Sequence, residues 1–147
     1  MAPGLGDVRL TGMYETFEHT ADVGLRVSAP SLDELFAAAA RGLFSLLVSD
    51  PIVGNGETMS FEVSGDNLTF LLVDILSELL FTFESEEVVL GDFVFKVGDG
   101  RASATATARA LDPKLHGPAR EVKAITYHAA AVRHTEEGWD AELILDV

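Results

Sequence analysis

Two segments of this chain carry an uninterrupted stripe of apolar side chains at helical spacing, and any fold must bury both. In the first, Leu32, Leu35, Phe36, Ala39, Ala40, Leu43, Phe44 and Leu47 recur every three or four residues, on one helix face. Ser31 followed by Glu34 predicts a capping box, Pro30 keeps Ala29 out of helical geometry, and Pro51 closes the segment. The second stripe is Leu68, Leu71, Leu72, Ile75, Leu76, Leu79, Leu80 and Phe83, with Asp66 expected as its N-cap. Each buried side chain of this kind contributes roughly 1.5–3 kcal/mol before the entropy of ordering it. These helices are therefore core pillars.

The remainder alternates with period two. Strands are expected at 14–18, 23–29, 59–63, 87–90, 92–97, 101–110, 121–134 and 139–146. Gly98-Asp99-Gly100 and Glu137-Gly138 read as tight hairpin turns, because Asp and Gly tolerate positive φ. Residues 101–110 alternate Ala with Ser, Thr and Arg, which gives a small face for close packing and a polar face for water. Tight turns imply antiparallel pairing. The expected class is α+β: one domain over 13–147, two amphipathic helices on a largely antiparallel sheet, preceded by a Gly-rich tail at 1–12. The order strand, strand, helix suggests two related halves. The acidic run Glu84–Glu87 reads as a solvated helix end, and Trp139 as core.

A length of 147 residues suits one domain, and 48% hydrophobic against 23% charged residues is a globular balance. The mean hydropathy of +0.23 calls for a sizeable core. No cysteine is present, which excludes disulfides, zinc–thiolate sites, iron–sulfur clusters and thiol nucleophiles. Asp and Glu number 24 against 10 Lys and Arg, a formal charge of −14. Strong direct binding to nucleic acid or an anionic membrane needs the opposite sign, so cations and basic protein surfaces are the expected partners. No apolar run reaches membrane-spanning length and no signal peptide is evident, so the expectation is a soluble, cytoplasmic protein.

The chain has no P-loop, GxGxxG, HExxH, GxSxG or nucleotidyl-transfer Lys-x-Asp-Gly motif. Three polar clusters remain. Glu18-His19-Thr20-Ala21-Asp22 lies on a short turn, where a carboxylate and an imidazole could bind a cation or act as a base, or Asp22 could simply hold the turn. The end, Leu145-Asp146-Val147, concentrates hard oxygens. Asp22, Asp146 and a backbone oxygen of Val147 would suit Ca²⁺ or Mg²⁺, or the end could simply be frayed and solvated. In Glu121–His128, Lys123, Ile125 and Tyr127 share one strand face, with Thr126 and His128 on the other; Lys123 would balance a nearby acidic site or meet a phosphate, or blunt a sheet edge. The punctuated loop 111–118, with His116, is long enough to be functional.

Together these runs resemble the archease family. The resemblance rests on Tyr14-Glu15, Glu18-His19-Thr20-Ala21-Asp22, the Leu32-Asp33-Glu34-Leu35-Phe36 helix start with Gly42-Leu43-Phe44, the Leu68–Phe83 helix, Glu121-Val122-Lys123-Ala124-Ile125-Thr126-Tyr127-His128, Gly138-Trp139 and Asp146-Val147. It covers residues 14–147. It implies an accessory protein, not itself an enzyme. Such a protein promotes guanylylation and multiple turnover of the GTP-dependent, RtcB-type RNA ligase in tRNA splicing and RNA repair. It further implies a divalent-metal site (Ca²⁺, or Mg²⁺/Mn²⁺) at Asp22, Asp146 and Val147, and an activating lysine at Lys123. His19 matches the motif at the partner-facing site, and His128 and His116 are supporting candidates. The competing readings are a stand-alone metal-dependent phosphoesterase using His19, Asp22 and Asp146, and a metal-independent, chaperone-like binding module.

Overall fold

The computed structural model describes residues 14–19 and 22–147, with the side chains of 17–19 outside the description; the tail at 1–12, Met13, Thr20 and Ala21 lie outside the described residues. The element order is β1 (Tyr14–His19), β2 (Asp22–Ala29), α1 (Leu32–Leu47), β3 (Glu57–Ser64), α2 (Leu68–Glu86), β4 (Val88–Gly98), β5 (Arg101–Ala110), α3 (Pro113–His116), β6 (Ala124–Thr135) and β7 (Gly138–Asp146). The α+β class is as expected, but the strands form two sheets. One has the order β1-β2-β7-β6 and the other β3-β5-β4, and every pairing is antiparallel. Only β3 lies between α1 and α2, so the strand pair that precedes the first long helix is not repeated before the second.

Both helical stripes are buried as their spacing demands. Leu35, Phe36, Leu43, Phe44 and Leu47 on α1, and Leu71, Leu72, Ile75, Leu76 and Leu79 on α2, are at most 2% exposed. On α1 the burial extends beyond the stripe. Residues 35–40 are buried without a break, because α1 packs against β2 of one sheet and β4 of the other. Four consecutive alanines, Ala37 to Ala40, let both sheets approach. Gly42 serves the same end: a β-carbon there would sit 2.8 Å from Leu25 Cδ1 and 3.1 Å from the Tyr14 ring. α2 packs on β6 and β3. Edge-to-face rings, Phe36 on Phe95 at 5.9 Å and Phe44 on Phe83 at 5.8 Å, join α1 to β4 and α2.

The caps divide. Ser31 Oγ accepts from the Glu34 N–H at 3.2 Å, as expected. The cap of α2 is Asn67, whose Oδ1 accepts from the Phe70 N–H at 3.0 Å, and not Asp66. Either residue type can supply the oxygen, so composition could not choose between neighbours. The acidic run is solvated, with Glu87 closing α2 in the left-handed region at φ 52°.

The strands at 87–90 and 92–97 are one strand, β4, broken by a bulge between Gly91 and Val94 with Asp92 at φ 49°. Val89 and Leu90, ahead of the bulge, are both buried, and beyond it burial alternates at Phe93 and Phe95. Asp99 and Gly100, both at positive φ, form the two-residue turn from β4 to β5. The β6–β7 turn is Glu136-Glu137, and Gly138 opens β7 instead of belonging to the turn. A β-carbon at Gly138 would lie 2.4 Å from the Ala29 carbonyl oxygen. In β5, Ala102, Ala104, Ala106 and Ala108 are buried, the small face that the sequence predicts.

The loop at 111–118 is a structural latch. Asp112 Oδ1 accepts from the Lys114 N–H and starts α3, a single turn. This places His116 in full burial, where Nδ1 accepts from the Asp112 N–H at 2.9 Å and Nε2–H donates to the Ile52 carbonyl at 2.6 Å. Its own carbonyl accepts from the Asp50 N–H at 3.0 Å. Both ring nitrogens are spent on backbone. His116→Ala would remove the ring's bonds to two part-buried backbone groups and open a cavity at a fully buried position. An unfolding free energy lower by about 3 kcal/mol is expected, read from the urea midpoint of purified protein. A midpoint unchanged from wild type would contradict the latch.

Candidate functional site

Strand register assembles one corner of the molecule from the two ends of the sequence. Asp22, the first residue of β2, lies directly opposite Asp146, the last of β7. Across the other edge of β7, Asp146 faces Ala124, the first residue of β6. The Lys123 N–H donates to the Asp146 carbonyl at 2.7 Å. His19 pairs with Asp22 across the β1–β2 hairpin. Directly opposed residues of an antiparallel pair project to the same face, with β-carbons about 4.5–5.5 Å apart. The Asp22 and Asp146 carboxylates therefore stand side by side, and Val147 follows immediately, packed against the core.

The face is the one away from the core. Val23, Leu25 and Val27 of β2 and Leu145, Leu143 and Ala141 of β7 point inward and are buried. The alternate residues therefore turn outward with Asp22 and Asp146. Further along this face Arg26 bridges three strands: its Nε–H donates to Glu142 at 2.8 Å and its Nη1–H to Glu15 at 3.5 Å. The bond from Glu142 raises the Arg26 pKa above its ordinary value, partial burial opposes this, and Glu15 adds to the rise. The guanidinium clasps β1, β2 and β7 in the register that opposes the two aspartates.

As a donor set, the corner offers two carboxylates and neighbouring backbone oxygens. Among the described residues no cluster of three or more His, Cys, Asp or Glu side chains has metal-binding geometry. Such an oxygen set suits a hard cation that keeps part of its water shell, and does not suit a metal wanting several imidazoles or thiolates.

The expected site residues divide clearly. Asp22, Asp146, Val147 and the backbone of Lys123 come together, and the Lys123 side chain is exposed. The backbone of His19 joins them, while its side chain lies outside the described residues. His128 is exposed in the irregular stretch of β6 between Thr126 and Ala131, four residues beyond Ala124, about 13 Å along a strand. His116 is the buried latch already described, with no nitrogen left for a ligand. His134 stacks on half-buried Trp139 at 4.5 Å, at the end of β7 away from Asp146. A cleft of about 920 Å³, floored by Phe93 and Phe95, opens at that far end and contains none of the expected residues.

An aromatic patch where α2 meets β6 went unread in the sequence. Phe70 and Phe81 of α2 are 50% and 63% exposed, and Tyr127 of β6 is 55% exposed. Tyr127 packs edge-to-face on Phe70, centroids 5.2 Å apart, and its hydroxyl donates to Asp74. The bond to Asp74 pushes the Tyr127 pKa upward, with burial and the Asp74 charge acting in the same direction. The available signal was that Phe70 and Phe81 fall off the buried stripe of α2.

Two antiparallel sheets closing over a pair of helices, with opposed aspartates at the strand ends where β2 meets β7, define a small α+β domain of a distinct type. The family model described as "Archease protein family (MTH1598/TM1083)" matches residues 14–147. Protein archease of Pyrococcus abyssi is 39% identical over 91% of this chain and 98% of its own length. That of Methanosarcina acetivorans is 32% identical over 91% and 95%. The solution structure of Methanobacterium thermoautotrophicum protein 1598 superposes with a TM-score of 0.75 at 30% identity, covering 91% of this chain and 98% of that one. The crystal structure of a Thermotoga maritima archease, described as a possible chaperone, shares the fold at TM-score 0.63 and 20% identity, over 88% and 94%. The chain belongs to the archease family. Among the described residues no helix is long and apolar enough to cross a membrane.

The Tyr127–Asp74 bond has a spectroscopic consequence. The sequence contains two tyrosines, so a Tyr14→Phe variant isolates Tyr127. Its phenol is expected to ionise above the ordinary value of about 10, and Asp74→Ala should bring it back down. Because the folded state favours the neutral phenol, the pair's contribution is present below about pH 10 and lost as pH rises through the raised pKa. An absorbance titration with an ordinary midpoint before the Asp74 change would contradict the pairing.

Proposed function

We propose that this archease is an accessory protein, without catalytic activity of its own. It would activate a GTP-dependent, RtcB-type RNA ligase in tRNA splicing and RNA repair through the corner formed by Asp22, Asp146 and Lys123. The observation that carries this reading is the register. Three charged positions at 22, 123 and 146 converge at one end of the sheet's central strands. A core-packing role would not require this, since all three turn to the surface or its margin.

The proposed metal site consists of the Asp22 and Asp146 carboxylates and a backbone oxygen of Val147, with Ca²⁺, Mg²⁺ or Mn²⁺ as the fitting class. Such a cation, when bound, would supply positive charge to a triphosphate or a transferring phosphoryl group. The chain's own residues do the rest. The paired strands hold both carboxylates at fixed spacing, and Lys123, tethered through its backbone, presents an ammonium to phosphate. The net charge of −14 favours approach to a basic, RNA-binding surface and disfavours competition for the RNA itself.

One alternative, a metal-independent chaperone-like module, gains support from the description of the Thermotoga maritima relative as a possible chaperone. The two readings separate on metal dependence. In a multiple-turnover ligation assay with the cognate ligase, GTP and Mn²⁺, the wild type should restore turnover. Asp22→Ala, Asp146→Ala and Lys123→Ala should each abolish that gain while remaining folded, and the protein alone should not ligate. Full activation by all three variants would rule out the corner.

Metal binding can be read without the ligase. At a concentration a hundredfold above Kd, a cation stabilises the folded state by about 2.7 kcal/mol. For a chain of this size that is a Tm rise of roughly 5–10 °C. The rise should vanish in Asp22→Asn and Asp146→Asn and survive in Lys123→Ala.

A further inference from the structure

Of the five large hydrophobic side chains that stand exposed among the described residues, three are aromatic and share one surface: Phe70 and Phe81 of α2, and Tyr127 of β6. Asp74 and Glu78 stand between the two phenylalanines at helical spacing. Asp74, Glu78, Phe81 and Tyr127 line one shallow concavity of about 540 Å³ with Val63 and Ser64 of β3, and no Lys or Arg lines it. From Leu68 to Glu86, α2 carries no basic residue at all.

The surface is also held in place. Tyr127 is fixed by its bond to Asp74 and by the Phe70 ring. The Val132 N–H, further along β6, donates to Thr69 Oγ1 at 3.0 Å and pins the strand to the helix start. Binding there would cost little side-chain ordering. Solvation gives no reason for three exposed aromatic rings, and nothing within the described chain covers them.

Their chemistry specifies the complement. Aromatic faces flanked by carboxylates and free of positive charge fit guanidinium groups, which stack on the rings and pair with the acids. They repel phosphate, which excludes nucleic acid as the occupant. We infer that the α2–β6 face, built from Phe70, Asp74, Glu78, Phe81 and Tyr127, is a docking surface for an arginine-bearing protein surface. This rests on the function proposed above, which supplies the ligase as the bearer of that surface. Tyr127 lies three residues along β6 from Ala124, the residue opposite Asp146, about 10 Å away. Tyr127 turns toward α2 while Asp22 and Asp146 turn to the opposite face of the sheet, so a partner docked on α2 reaches the acidic corner only around the end of β6. The inference separates two roles: the α2–β6 face sets affinity, and the corner sets turnover once bound.

The experiment measures both quantities with the full chain and the cognate ligase: affinity by titration calorimetry, and ligation turnover against activator concentration. Phe81→Ser and Glu78→Lys change exposed side chains and should leave the fold intact, which the Tm checks. Each is expected to weaken binding about tenfold, the scale of a single interface anchor, and to leave the turnover plateau unchanged. Asp22→Ala should do the reverse. Wild-type affinity in both α2 variants overturns the docking surface. Wild-type protein that binds the ligase without activating it overturns the proposed function and leaves the docking result to stand or fall on the variants; failure to bind at all overturns both. A wild type that sediments as a dimer, dissociated by Phe81→Ser, assigns the face to a second copy and overturns the inference.

Discussion

The pairing of β2 with β7 brings together residues more than a hundred positions apart, and the rest of the molecule depends on its register. Val23 faces Leu145, Leu25 faces Leu143 and Val27 faces Ala141, all turned into the core beneath α1. A slip of one residue would expose this whole apolar row and bury Arg26 and its carboxylates. Hydrophobic burial thus locks the register to a single choice, and Arg26, held to Glu142 and Glu15, reinforces it from the outer face. The same register sets Asp22 opposite Asp146. The position of the corner is a by-product of packing that is strongly specified elsewhere, which lets two like charges sit together without choosing the strand alignment themselves.

What the sequence made legible follows from period. Helical stripes of eight apolar residues and strands that alternate strictly leave few options, so both long helices, the β4–β5 hairpin and the alanine face of β5 could be read directly. The bulge at Gly91–Val94 could not, because an extra residue looks like the end of one strand and the start of another. The division into two sheets was hidden for a different reason. The burial of Ala37 and Ala38 beside the main stripe of α1 is its only local trace, and alanine is neutral toward burial. His116 shows the limit for histidines: a latch bonded to Asp112 and Ile52 has the same composition as a ligand, and only the contacts separate them.

The corner was partly legible. Asp22, Asp146 and Lys123 stood out as charged residues in patterned surroundings, but residues 22 and 146 meet only through a long-range strand pairing that no local pattern encodes. The α2–β6 face was less legible still. Phe70 and Phe81 look like core when helix positions are judged by residue type, and become visible only as apolar residues that the stripe leaves outside.

On the function proposed above, charge and shape would divide the molecule's surface between two tasks. A domain with formal charge −14 is drawn to any basic surface, and such long-range attraction speeds encounter without choosing orientation. Orientation requires short-range features that only one arrangement can satisfy. The rigid Phe70–Tyr127–Asp74 group meets that need, and the opposed aspartates do not, since two carboxylates attract cationic groups from many directions. If the aspartates were also the main docking contact, each cycle of activation would have to break the attraction that delivered the protein. On the function and docking surface proposed above, an anchor on the helix side of β6, about 10 Å along the strand from the level of the aspartates, would let the corner engage and release phosphate-bearing groups while the partner stays held.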